Sequence, residues 1–275
     1  MHEKLLLFEG VNGAAVRREG CFATMGAMSG HSKWSTIKHK KATTDARRGK
    51  LFNKLLREIT VAARLGGGDV KTNPRLRSAV LEARGNSVPN DTIDRAVKKG
   101  TGELAGEAAY EEVAYEGYGP GGVAVLVEGM TDNRNRTAGE IRNIFARNGG
   151  NLGESGCVAW MFHRRGYFSI PRSARDEETF MDLALELGAD DVAVEEDRFE
   201  IYTPAEDFAS TLEELERRGV PLDAKELAMI PQTWVAVPGN RVSQLLRLLD
   251  ALEDHEDVQK VWANMQVDEQ VLAAP

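Results

Sequence analysis

The stretch from Phe180 to Tyr202 reads FMDLALELGADDVAVEEDRFEIY, and its apolar spacing changes period part way along. Phe180, Leu183, Ala184 and Leu187 recur at i, i+3, i+4 and i+7, the signature of one helix face, and Gly188 stops it. Val192–Val194 and Phe199–Tyr202 then form two short β-branched and aromatic runs across Glu195-Glu196-Asp197, which predicts a hairpin. Before the helix, Tyr167–Ile170 predicts a strand. Beyond the hairpin, Phe208, Leu212 and Leu215 predict a second helix ended by Gly219, and Leu222–Ile230 a last strand. The order βαββαβ is that of the ferredoxin-like split.

The flanks of this unit match each other. On the N-terminal side Tyr110–Tyr118 and Val123–Val127 enclose the turn Gly119-Pro120-Gly121-Gly122. Asp132 stands where a cap is needed for a helix carrying Ala138, Ile141, Ile144 and Phe145, and a strand is expected over Val158–Phe162. On the C-terminal side Trp234–Val237, a helix through Leu245, Leu246, Leu249 and Leu252, and Val258–Met265 resume a βαβ pattern. The simplest reading is an α+β domain, residues 103–163 with 232–275, into which a ferredoxin-like domain, residues 164–231, is inserted.

Residues 29–102 are different, because period-2 runs are missing. Gly66-Gly67-Gly68 ends one helix, Asn73-Pro74 supplies a cap and a first-turn proline for the next, and Pro89-Asn90-Asp91 opens a third, so a small helical bundle is expected. The fold class is therefore α+β multidomain, with an N-terminal helical bundle. Residues 1–28 read as an extension, disordered or non-native, since Met25 and Met28 are both plausible starts and Leu5–Phe8 is too short for a signal peptide.

Charge is segregated along the chain. The 275 residues carry 35 Lys and Arg against 43 Asp and Glu, a net −8 that taken whole argues against a polyanionic partner. From Gly30 to Gly100, however, 17 cations face 6 acids, a surplus of 11 positive charges, whereas from Thr101 onward 15 face 34, a deficit of 19. Such a split points to nucleic acid or an anionic surface. The cations also have a pattern. With about 100° per residue, Lys50, Lys54, Arg57 and Arg64 share one helical stripe, while Leu51, Phe52, Leu55, Ile59, Ala62 and Ala63 cluster opposite. A solvated polar face is the bland alternative; against it, few acids lie at i, i+4. Lys33, Lys38, Lys40, Lys41, Arg47 and Arg48 add to the density, and Trp34 and His39 place flat rings among them. For Trp34, burial as an anchor of the bundle is an equal reading. Arg134 and Arg136, in Thr131–Thr137 at a helix start, are a second candidate phosphate contact, against simple capping and surface ion pairs.

Two distant cysteines and five scattered histidines form no disulfide framework and no metal-ligand spacing, so no metal and no cofactor is expected. The Gly-rich run Asn148–Gly153 lacks the Lys-Ser/Thr of a phosphate-binding loop and reads as a helix exit. A nucleophile with its base is not evident, so a catalytic site is not expected. The competing enzyme reading, Mg²⁺ bound near Asp132, lacks a ligand set.

Several motifs resemble the start of the YebC family: Gly30-His31-Ser32-Lys33-Trp34, Ile37-Lys38-His39-Lys40-Lys41, Asp45–Lys50, Glu58–Arg64, Asn73–Arg77 and Lys99–Gly102. Tyr115–Pro120, Asp132–Thr137 and Gly156–Phe162 extend the likeness into the second domain. The resemblance implies three domains and a cytoplasmic, non-enzymatic regulator. Members are described as probable transcriptional regulators binding DNA, and some as ribosome-associated factors that relieve stalling at proline-rich stretches. A mitochondrial relative activates translation of a cytochrome oxidase subunit. The implied partner is nucleic acid, DNA or ribosomal RNA, through residues 31–64. A ribosome or protein partner is left to the acidic domains, and no membrane is involved.

Overall fold

A computed structural model describes residues 45–104 and 110–267, a mixed α+β chain. The expectation for residues 1–28, and those for Lys33, Trp34, Lys38, His39, Lys40 and Lys41, lie outside the described residues.

Among the described residues three helices come first: α1 (Asp45–Gly66), α2 (Pro74–Gly85) and α3 (Asn90–Gly100). They bury one shared core, in which Leu55, Ile59, Ala62 and Ala63 of α1 meet Leu76, Ala79, Val80 and Ala83 of α2 and Ile93 and Ala96 of α3. Each large aliphatic side chain so buried contributes about 1.5–3 kcal/mol. The α1–α2 corner is fastened by Asn73. Its Oδ1 accepts the Leu76 N–H at 3.0 Å, and its Nδ2 donates to the carbonyls of Ala62 and Gly67, each at 2.8 Å. Gly100 lets α3 touch α1, since a Cβ there would stand 2.3 Å from the Thr60 carbonyl oxygen.

The described residues from 110 onward build two four-stranded antiparallel sheets. Strands β1 (Glu111–Tyr118), β2 (Ala124–Thr131), β3 (Asn151–Leu152) and β9 (Val258–Ala263) lie in the order β3-β1-β2-β9. Val125 and Val127 of β2 and Val261 and Ala263 of β9 face α4 (Arg134–Arg147) and α7 (Gly239–Glu253). There they meet Ile141, Phe145, Leu245, Leu248, Leu249 and Leu252. Strands β4 (Phe162–Pro171), β5 (Asp191–Val194), β6 (Arg198–Pro204) and β7 (Ala224–Pro231) form the second sheet, ordered β5-β6-β4-β7. Phe168, Ile170, Phe199 and Ile201 cover Phe180 and Leu183 of α5 (Glu177–Glu186) and Leu215 of α6 (Phe208–Arg217).

Period-2 alternation leaves a second face on each sheet, and these faces meet. Ala124, Leu126 and Trp262 of the first sheet pack with Tyr167, Tyr202 and Ala228 of the second. Glu200, fully buried at this seam, accepts the Tyr167 hydroxyl at 3.0 Å and the Tyr202 hydroxyl at 2.6 Å. A short parallel pair, β8 (Val235–Ala236) with β10 (Met265–Gln266), completes the described elements.

Two local expectations fail. Val158–Phe162 is not a strand: residues Ala159–Met161 make a 3-10 turn, and β4 begins at Phe162. The cause is Glu116, forty-two residues before Val158, whose buried carboxylate accepts the N–H groups of Gly156 at 2.6 Å and of Val158 and Ala159, each at 2.7 Å. Those donors are therefore withdrawn from any ladder. The cap of α4 is Asn133, whose Oδ1 accepts the Arg136 N–H at 3.1 Å, and Asp132 instead pairs with the Arg136 side chain. Among the described residues no helix is long and apolar enough to cross a membrane.

Candidate nucleic-acid interface

Helix α1 puts Leu55, Ile59, Ala62 and Ala63 into the bundle core, leaves Leu51 exposed near its start, and turns its cationic stripe toward the C-terminal end of α7. There the last carbonyls of a helix carry partial negative charge and lack intrahelical donors. Lys50 Nζ donates to the Asp254 carbonyl at 3.1 Å and Lys54 Nζ to the Glu253 carbonyl at 2.6 Å. Arg57 donates to the Glu256 carbonyl and pairs with Asp257 Oδ1 at 2.9 Å. Farther along, Arg64 donates to the Tyr110 carbonyl at 2.7 Å. The Arg57 guanidinium stands 5.3 Å from the Tyr110 ring centre and the Lys99 ammonium 4.8 Å from it. Arg75 of α2 joins the same seam, bonded to Glu58 at 2.7 Å and to Glu112 of β1 at 2.6 Å. Three members of the stripe, Lys50, Lys54 and Arg57, thus meet acceptors about two hundred residues later in the chain.

Asp257 is the hub of this seam. Its side chain is 3% exposed, and Oδ2 accepts from Thr137 Oγ1 at 2.6 Å, Arg136 at 2.9 Å and Thr131 Oγ1 at 3.2 Å. Burial by itself would raise its pKa, but the hydroxyl and guanidinium donors and the charge of Arg57 hold the carboxyl below its ordinary range. Next to it the Asp257 N–H donates to His255 Nδ1 at 3.1 Å. This leaves the ring proton on Nε2, which faces Glu140 Oε2 at 2.8 Å.

Glu140, His255 and Asp257 bring potential metal-ligand atoms within 4.8 Å of one another. Each donor is already committed: both Asp257 oxygens to cations and hydroxyls, Nδ1 to a backbone N–H, and Nε2 to Glu140. Two guanidinium groups beside the carboxylate further oppose a cation. Asp132 likewise serves Arg136, at 2.9 Å.

The other sequence candidates are dispersed. Arg136 bridges Asp132 and Asp257, so its charge is balanced within the protein, whereas Arg134 is exposed with Glu111 at 3.6 Å. Arg48 is exposed, its guanidinium 5.5 Å from the Phe52 ring centre, and the side chain of Arg47 lies outside those described. Arg77, Arg84, Arg95 and Lys98 of α2 and α3, with Lys71 between α1 and α2, also stand at the surface. Sequence reasoning missed Asp257, Tyr110 and Glu116, because each acts through partners far along the chain. Glu116 had one signal, an acid amid the apolar alternation of a strand.

Residues 32–103 match the model of the TACO1/YebC protein N-terminal domain, and residues 110–265 that of the TACO1/YebC second and third domain. A probable transcriptional regulatory protein of Pelotomaculum thermopropionicum is 58% identical over 244 residues, 88% of this chain and 100% of that one. Another, of Syntrophobacter fumaroxidans, is 55% identical over 246 residues, covering 89% and 98%. The crystal structure of a conserved hypothetical protein from Aquifex aeolicus superposes with a TM-score of 0.78 at 48% identity, over 88% of this chain and all of that one.

Proposed function

Since the chain belongs to the TACO1/YebC family, whose models match most of its length, we propose that it is a non-enzymatic, nucleic-acid-binding regulator of gene expression. Its relatives carry the name probable transcriptional regulatory protein, which supports duplex DNA as the target. The reading divides the chain into a basic helical domain over 29–102, an α+β domain over 103–163 and 232–275, and the ferredoxin-like insertion over 164–231.

One observation carries the reading. After Lys50, Lys54, Arg57, Arg64 and Arg75 are accounted for by acceptors in the body, Arg48, Lys71, Arg77, Arg84, Arg95 and Lys98 still stand exposed on the helical domain. A polyanion is drawn to that surface and repelled by the acidic remainder. By sequence, Lys33, Lys38, Lys40, Lys41 and Arg47 add cations to the same segment of chain, with the rings of Trp34 and His39 among them. The docked cations Lys50, Lys54 and Arg57 reach phosphate only when the helical domain leaves the end of α7. Arg134 contributes from the α4 terminus, and Arg136 stays with Asp257. The engaged state of the Glu140–His255–Asp257 group supports the non-enzymatic part.

The test is fluorescence anisotropy on a DNA duplex of about 20 base pairs with Arg48, Arg95 and Lys98 changed together to Ala. Affinity falls, and the slope of log K against log[salt] becomes shallower by about 0.9 for each phosphate that is no longer neutralised. Unchanged affinity and slope sink the assignment.

A further inference from the structure

The two edges of the second sheet differ. β7 carries a lysine, Lys225, and ends at Pro231, both common guards of an edge strand. β5, at the other edge of the order β5-β6-β4-β7, has neither, and among the described residues no strand lies beside it. Its register on β6 fixes which backbone groups face outward. The Glu195 N–H donates to the Arg198 carbonyl at 2.9 Å, so by antiparallel alternation the bonded pairs are Ala193 with Glu200 and Asp191 with Tyr202. Val192 and Val194 therefore turn their N–H and C=O groups away from β6. The outward Val192 N–H falls back on its own neighbour, Asp191 Oδ1, at 2.9 Å. The Val192 side chain packs into the core under α5, while Val194 is 40% exposed. Acids surround this open edge: Asp190, Asp191, Glu196 and Asp197 are exposed. The cations near it are engaged, Arg172 with the Glu195 carbonyl and Glu177, Arg198 with Asp197, and Arg218 with Glu186 and Glu214. Among the described residues Asp190, Asp191 and Glu196 form no ion pair.

We infer that β5 is a docking edge for an extended cationic segment of another protein, which adds to the second sheet as a fifth strand. The outward backbone groups supply the ladder and the acids select the partner. Alternation gives the segment its pattern: apolar side chains on the helix-covered face extend over Val194, and lysines on the opposite face stand beside Asp191. A second copy of this chain is opposed by the same charges, since two β5 strands paired antiparallel set Asp190 and Asp191 of one against Glu195 and Glu196 of the other. Nucleic acid is opposed as well, because residues 164–231 carry 18 acids against 8 cations. The inference is therefore independent of the nucleic-acid reading and uses a different domain.

The experiment titrates the full chain into a fluorescein-labelled peptide of about 10 residues alternating valine and lysine, reading anisotropy, and follows amide hydrogen exchange across β5. Two control peptides accompany it: the same sequence with every amide N-methylated, which keeps the charge and cannot donate to a ladder, and a valine–glutamate alternation. The valine–lysine peptide binds and slows exchange at Val192 and Val194; the N-methylated form is weaker by about tenfold or more, and the glutamate form does not bind. Val194→Pro removes an outward N–H and no bond to β6, so it weakens binding by about fivefold while the circular dichroism spectrum stays that of wild type. Asp191→Asn with Glu196→Gln weakens it by about threefold and makes it less sensitive to salt. Equal binding of the N-methylated peptide overturns strand addition in favour of charge alone, and needs no variant to fold. No binding of the valine–lysine peptide up to about 1 mM, or protection away from β5, also overturns it. Self-association of the chain that Val194→Pro abolishes overturns it in favour of a second copy.

Discussion

Changing Asp257 to Asn removes one negative charge and little volume at the point where helical domain and body meet. In the wild type this carboxylate faces Arg57 at 2.9 Å and Arg136 at 2.9 Å, with two threonine hydroxyls. Arg136 is 45% exposed and keeps Asp132, so its loss is small. Arg57 is 13% exposed, and its remaining carboxylate, Glu256, lies at 3.8 Å. Stranding one partner of a buried pair costs about 3–5 kcal/mol, and with only one of the two cations stranded the low end, about 3 kcal/mol, is expected. Urea unfolding followed by circular dichroism measures it, with the helical domain as the unit expected to shift in a chain of several domains. A double-mutant cycle with Arg57→Met isolates the pair, with a coupling of about 1.5–3 kcal/mol. The same variant loosens the dock that holds Lys50, Lys54 and Arg57, so its affinity for duplex DNA rises. A D257N protein within about 0.5 kcal/mol of wild type, with no coupling to Arg57, would refute the hub.

Three further expectations concern a helix cap, a pinned carboxylate and a set of exposed cations. Asn73→Ala removes a cap and leaves the Ala62 and Gly67 carbonyls without their donor, so it lowers stability by about 2 kcal/mol, read from the urea midpoint at constant m; a change confined to a few tenths contradicts the corner. Glu116 and Asp257 both have folded pKa values below the ordinary carboxylate range, so their stabilisation is complete above about pH 5 and is lost as pH falls through the folded values. Glu116→Gln therefore lowers the melting temperature at neutral pH and flattens its decline in acid; parallel curves for variant and wild type exclude the loop-pinning role. Arg48, Arg95 and Lys98 changed together weaken duplex binding, whereas their mutual exposure leaves the melting temperature within about 2 °C.

The legible parts of this chain are those governed by neighbours. Phe180, Leu183 and Ala184 announce α5 because a helix face repeats over a few residues, and Asn73-Pro74 announces α2 because capping is a local bond. Val158–Phe162 misleads because its alternation competes with a carboxylate at Glu116, which no local window contains. The α1 stripe shows the same limit from the other side. Its spacing puts Lys50, Lys54 and Arg57 on one face correctly, but a cationic face looks the same whether it awaits phosphate or the carbonyls at the end of α7. The charge split between segments is therefore partly internal complementarity, and only the cations left outside the dock carry its argument for nucleic acid. Trp160 falls inside the same misleading run, where a strand would have alternated it inward, and its exposure becomes visible only once the Glu116 loop is formed.

The most direct measurement is the salt dependence of duplex DNA binding by the unmodified chain, taken from about 50 to 200 mM salt. A straight line of log K against log[salt] is expected, with a slope of about −4 to −6 from roughly one released counterion for each exposed cation of the helical domain. A slope near zero, or no binding at about 50 mM salt, contradicts a helical domain that meets nucleic acid through those cations.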